Sequence, residues 1–121
     1  MEVLFWLGRI LYGGFFILNG INHFMRLEML SGYAQSKGVP SPRVAVVVTG
    51  LMILLGGAAV LTGLYVPWGL WLIVIFLVVV SFWIHNFWAI DDPQQKMIEQ
   101  VNFLKNMGLL GGAFLLLYLW R

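Results

Sequence analysis

The sequence predicts an all-α membrane protein, an antiparallel bundle of four transmembrane helices joined in part by short interfacial helices. Three observations predict it. The 121 residues are 61% hydrophobic and only 10% charged, and the mean hydropathy of +0.91 lies far above that of a soluble domain. From Val44 to Ile90 there is no Asp, Glu, Lys or Arg, a run of 47 residues, roughly twice the ~20 that cross one bilayer. The first and last 20 residues are similarly apolar, so four spans fit and residues 1–121 read as one transmembrane domain.

The first helix is expected over residues 3–25; Met1-Glu2-Val3 lacks the positive region of a signal peptide, so this segment should be retained as a span. In the connection from Leu27 to Arg43, Leu27, Leu30, Tyr33 and Ala34 share one helical face while Glu28, Gln35 and Lys37 lie elsewhere. That pattern predicts a short interfacial helix, stopped by Gly38, Pro40 and Pro42. The second helix covers 44–64. Gly63 suits its end and Pro67 the first turn of the third, which leaves Tyr65-Val66-Pro67 as a tight turn. The third helix is expected over 67–90. Asp92-Pro93-Gln94-Gln95 then has the form of an N-cap, a first-turn proline and a capping-box Gln, starting a helix before the membrane. Met97, Ile98, Val101 and Leu104 give that helix an apolar stripe, and it either bends or runs straight into a fourth span over 103–120, with Arg121 at the interface beyond. Gly50 and Gly57, Gly56 and Gly63, and the cluster Gly108, Gly111 and Gly112 predict close helix packing.

The net charge of +2 comes from seven basic against five acidic residues lying almost entirely between the apolar segments, as membrane-flanking charge does; nucleic-acid binding is not indicated. Without cysteine, thiol–disulfide chemistry and thiolate metal sites within the chain are excluded. The first and third connections carry Arg26, Lys37, Arg43, Lys96 and Lys105, against Arg9, Arg121 and the amino terminus on the other side. The positive-inside rule therefore places both termini outside and the face bearing these connections, the loop face, in the cytoplasm.

Polar residues gather toward the loop face. Asn19, Asn22 and His23 have i, i+3, i+4 spacing, with Arg26 at i+7; Asn102, Lys105 and Asn106 repeat the spacing, and Ser81, His85 and Trp88 follow at i, i+4, i+7, with Asn86 beside them. Polar groups in lipid are costly unless they face the bundle interior, so three converging stripes point to a ligand pocket formed by Asn19, Asn22, His23, His85, Asn86, Trp88, Lys105 and Asn106. The competing reading is structural: these groups bond one another, reach to headgroups or tie the bundle together. A quinone would suit the pocket, with imidazole or amide bonds to its carbonyls and walls from Phe24, Phe82, Trp83, Phe87, Trp88 and Phe103. His23 and His85 as axial ligands of a haem are a weaker reading, because no other metal cluster or nearby acid supports it. No other metal site and no catalytic constellation is read in the chain. Arg9, a charge inside the first span near the opposite face, snorkels, bonds to carbonyls or to Tyr65 or Tyr118, or meets an anionic ligand; it joins the candidate binding residues.

The chain resembles the DoxX family of small four-helix membrane proteins. The resemblance rests on Gly8-Arg9-Ile10-Leu11, Gly20, Gly38-Val39-Pro40, Gly56-Gly57 with Gly63, His85-Asn86-Phe87, and Phe103-Leu104-Lys105-Asn106 followed by Gly111-Gly112. Two departures stand out: many relatives carry a Glu shortly before the Gly-Gly pair, where this chain has Ile53, and a basic residue in the turn now formed by Tyr65-Val66-Pro67. The family's basic turn would favour termini inside, opposite to the charge count. The resemblance implies a subunit of a quinone-linked oxidoreductase or of a membrane redox-stress complex; joined to the polar and aromatic convergence it points to a quinone-binding accessory subunit of a membrane oxidoreductase complex, its electrons coming from a bound cofactor or a redox protein partner. The alternative is a non-catalytic module that assembles a partner or binds a lipid headgroup. A proton-coupled drug exporter would need a carboxylate within the spans, and none is read there. The setting expected is a prokaryotic cytoplasmic membrane.

Overall fold

A computed structural model describes residues 2–120, which contain no strand. Helix α1 spans Glu2–Met25, α2 Leu27–Ser36, α3 Pro42–Thr62, α4 Val66–Trp83 and α5 Pro93–Leu119, with a 3-10 turn at Phe87–Ala89 between the last two. Glu2–Met25, Pro42–Thr62, Val66–Ala89 (α4 with its turn) and Pro93–Leu119 are long and apolar enough to cross a membrane. Arg121, assigned to the interface from sequence, lies outside the described residues.

The helices pack in series, α1 on α3, α3 on α4 and α4 on α5, with α2 laid against α3. Phe16, Ile53, Val60, Val66, Leu70, Ile73 and Leu77 are fully buried where α1, α3 and α4 meet. Ile53, one of the departures from the family pattern, is thus a core side chain. Lipid tails are as apolar as these residues, so the association relies on close packing, which small residues permit. A Cβ on Gly57 would stand 2.5 Å from the Gly13 carbonyl oxygen, and one on Gly56 would stand 2.7 Å from that of Gly69. The backbones of α1, α3 and α4 are therefore in direct contact.

Two expectations change. The glycine cluster of the last helix is not a packing face of this chain: a Cβ on Gly108 or Gly111 meets nothing within 4 Å, and only Gly112 meets a neighbour, the Tyr12 ring. Gly108→Ala and Gly111→Ala should accordingly be tolerated or stabilising by up to about 1 kcal/mol, since alanine is the better helix former. Thermal unfolding in detergent checks this; a clear loss of stability would reveal a contact at that face.

The third helix ends at Trp83, not at residue 90. Hydropathy runs on through Phe87, Trp88 and Ala89, but His85 and Asn86 have side-chain partners on other elements, and the backbone turns to reach them. The His85 N–H donates back to the Val80 carbonyl, and the 3-10 turn follows. Ser81, His85 and Trp88 consequently do not form one helical stripe; Ser81 is fully buried and its hydroxyl has no hydrogen-bond partner among the described residues.

The other boundaries follow the local chemistry. Gly63 closes α3 in the left-handed conformation (φ 79°), where its missing side chain also leaves room for the Arg9 guanidinium. Asp92 caps α5 by accepting from the Gln95 N–H at 3.1 Å, with Pro93 in the first turn. From there α5 runs straight through the fourth span as one 27-residue helix, so the apolar stripe around Met97 belongs to that span.

Candidate ligand cavity at the loop face

Helices α1 and α5 are neighbours without backbone contact among the described residues. They are bridged by side chains. The Tyr12 hydroxyl donates to the Leu109 carbonyl at 2.6 Å, and Phe5 stacks on Trp120 with centroids 5.4 Å apart. From the Tyr12 bridge toward the loop face, residues of α1, α3, α4 and α5 surround unfilled space, which α2 borders with Leu30, Tyr33 and Ala34. The result is a cavity of about 460 Å³ whose lining is mostly apolar, within the size range of small-molecule sites.

Of the residues singled out from sequence, Asn19, His23, His85, Lys105 and Asn106 line this cavity. They come from α1, from the segment after α4 and from α5. Asn22 is half-buried on α1 outside the lining. Asn86 is also outside it; its Oδ1 accepts from Lys37 Nζ at 2.8 Å, while Trp83 Nε1 donates to the Lys37 carbonyl at 2.9 Å. These two bonds fasten the end of α2 to the end of α4. Trp88 is 51% exposed and packs with Phe82, Phe87 and Phe103 in an aromatic cluster apart from the cavity. Of the walls expected from sequence only Trp83 lines the cavity; the others are Tyr33 from α2 and Phe15, Phe16 and Phe76, the last three not distinguishable in sequence because apolar residues inside a span all look alike.

The polar atoms of the lining are held by local bonds. Asn19 Nδ2 donates to the Phe15 carbonyl at 2.8 Å, and His23 Nδ1 donates to the Asn19 carbonyl at 2.8 Å. Thr49 Oγ1, on α3, donates to the Ala45 carbonyl at 2.7 Å. Lys105 Nζ stands 5.7 Å from the Phe15 ring centre, across the α1–α5 gap.

Sequence reading missed Glu99. It was placed in a helix ahead of the membrane, and no acid was expected near the histidines. The residue is only 3% exposed and its carboxylate faces His85: Oε2 lies 2.9 Å from His85 Nδ1, and Oε1 accepts from Asn102 Nδ2 at 3.1 Å. The i, i+3 spacing of Glu99 and Asn102 is legible in the sequence, but the pairing with His85 depends on where α4 ends. Tyr33 completes the group from α2; burial, with the charge of Glu99 beside it, pushes its hydroxyl above the usual phenol value.

Arg9 lies at the other end of the bundle and does not belong to the cavity. It is 9% exposed; Nε donates to the Val60 carbonyl at 3.0 Å and Nη2 to the Leu61 carbonyl at 3.1 Å. Its guanidinium lies 4.1 Å from the Trp6 ring centre, with Phe5 and Trp120 beyond. Of the alternatives the sequence left open, the carbonyls are the partners: Arg9 satisfies the C-terminal carbonyls of α3, and its charge favours that end of the helix dipole. Arg9→Leu should destabilise the protein by about 1–3 kcal/mol, and Arg9→Lys should not restore it, because an ammonium cannot reproduce the planar fork. Ligand affinity at the loop face should be unchanged. Thermal unfolding together with equilibrium binding checks both parts.

The DoxX family profile matches residues 4–86, from α1 through the end of α4 to the His85-Asn86 pair. The resemblance read in Phe103–Asn106 and Gly111-Gly112 lies beyond the matched stretch. No characterised protein and no solved structure shows significant similarity to the chain. With four helices suited to crossing a bilayer and a profile match that takes in α1 to α4, the chain is an integral membrane protein of the DoxX family.

Proposed function

We propose that this DoxX-family protein is an accessory membrane subunit that binds the headgroup of a quinone-type lipid in the loop-face cavity and presents it to a redox partner. The observation that carries the reading is the cavity itself. Its roughly 460 Å³ are walled by Phe15, Phe16, Phe76 and Trp83, while His23, Lys105 and Asn106 bring polar groups to it from opposite sides. A flat aromatic headgroup with two oxygens matches such a lining: ring against ring, and each oxygen within reach of a polar group. A quinone supplies two-electron, two-proton chemistry when bound; this chain's residues bind and orient it and exclude water. On this reading the loop face lies toward the cytoplasm of a prokaryotic cell, following the basic residues of the connections.

The test is equilibrium binding of decylubiquinone to detergent-purified protein, followed by tryptophan quenching that Trp83→Phe should diminish. Thr49→Phe, which fills part of the cavity from α3, should weaken binding about 10-fold or more, one misplaced ring being enough to exclude another. Absence of saturable binding, with a phospholipid retained instead, would replace the quinone reading with the lipid-headgroup one.

A further inference from the structure

Four of the polar side chains lining the cavity, His23, His85, Thr49 and Trp83, direct a hydrogen away from it. A backbone carbonyl has no proton to give, so the bond between His23 and Asn19 fixes the proton on Nδ1 and leaves Nε2, in the neutral ring, as a lone pair. Glu99 acts on His85 in the same way. With Oε1 accepting from Asn102 and Oε2 facing His85 Nδ1, the ionised carboxylate accepts at both oxygens and holds a proton on Nδ1, so that in the neutral form of the ring Nε2 is again the acceptor. Thr49 commits its hydroxyl hydrogen to Ala45 and Trp83 its indole N–H to Lys37. Neither Nε2 has a hydrogen-bond partner among the described residues. Lys105, Asn106, the Tyr33 hydroxyl, which has no hydrogen-bond partner among the described residues, and the second amide hydrogen of Asn19 remain as donors.

We propose that the cavity selects a ligand that donates hydrogen bonds, the hydroquinone or another phenol, over the corresponding quinone. The proposal rests on the cavity being a headgroup site, as above. A hydroxyl donates to a histidine Nε2 and still accepts from Lys105 or Asn106, so it satisfies both kinds of group. A quinone carbonyl brings only lone pairs. It can accept from Lys105, Asn106 or Tyr33, but at His23 and His85 it sets lone pair against lone pair in a largely apolar cavity, where an unmet polar group is most costly. Sites built around a hydroxyl discriminate strongly against analogues lacking the hydrogen. Glu99 is a positioning residue here, holding the His85 ring in one tautomer without touching the ligand.

The experiment compares three probes on the unmodified protein in detergent at about pH 8, above the ordinary imidazole range: decylubiquinol kept reduced anaerobically, decylubiquinone, and the dimethyl ether of the quinol. Binding of the quinol about 10-fold tighter than of either other probe is expected. His23→Gln, whose amide can turn to donate, should then narrow the gap between quinol and quinone. Equal binding of all three, or tighter binding of the quinone, overturns the selectivity and leaves the headgroup reading standing. An ether that binds as well as the quinol shows that its hydrogens are not what is recognised, with the same consequence. Binding of none of the three overturns both readings.

Discussion

Gly57→Ala should be among the most damaging single-methyl additions in the protein, lowering its stability in detergent by about 3 kcal/mol. The new carbon would sit 2.5 Å from the Gly13 carbonyl oxygen, 2.9 Å from the Ile17 amide nitrogen and 3.0 Å from an Ile17 side-chain carbon. Two of these neighbours are backbone, so no side-chain rotation relieves the clash; α1 and α3 must move apart. That separation also shifts His23, whose Cβ is packed against Gly50 further along the same interface. Reduced ligand binding should therefore accompany the loss of stability. Thermal unfolding of Gly57→Ala beside Gly111→Ala gives the comparison: a large drop for the first and none for the second. Similar behaviour of the two would contradict the packing described.

Removing the Glu99 carboxylate should be comparably costly. Glu99→Ala leaves the His85 Nδ1–H and the Asn102 amide without their acceptor, and stranding two donors at a buried position costs about 3 kcal/mol. Glu99→Gln keeps one oxygen and a similar shape and should cost clearly less. His85→Ala and the double variant complete a cycle in which the two losses should fall well short of adding. Additive losses would mean that the pair does not form. The pair also ties α5 to the segment after α4, so accelerated amide exchange around residues 84–90 should mark Glu99→Ala.

These two residues show where sequence reading succeeds and where it stops. Four spans were legible because nothing but a membrane tolerates 47 consecutive residues without charge, and Gly63, Pro67 and Asp92 marked helix ends by local backbone chemistry. Asn19 and His23 could be read as an inward stripe because α1 is regular across both, and Lys105 and Asn106 because α5 is. His85 defeated the same logic. Its helix ends two residues before it, since His85 and Asn86 find their partners in Glu99 and Lys37, and these lie 14 and 49 positions away in the chain. Periodicity describes one helix at a time and carries no information about such pairs. Arg9 is the complementary case. Its burial was improbable for a lone arginine, but the end of α3 offers two carbonyls and a glycine that makes room.

The central claim is that the loop-face cavity is a quinone-type headgroup site. Photolabelling with an azido-quinone, followed by peptide mapping, tests it most directly. The label should fall on Phe15–His23 of α1, on Phe76–His85, or on Lys105–Asn106, and excess decylubiquinone should prevent it. Labelling confined to the end of the bundle that holds Trp6, Arg9 and Trp120, or labelling that excess ligand does not displace, would contradict the claim.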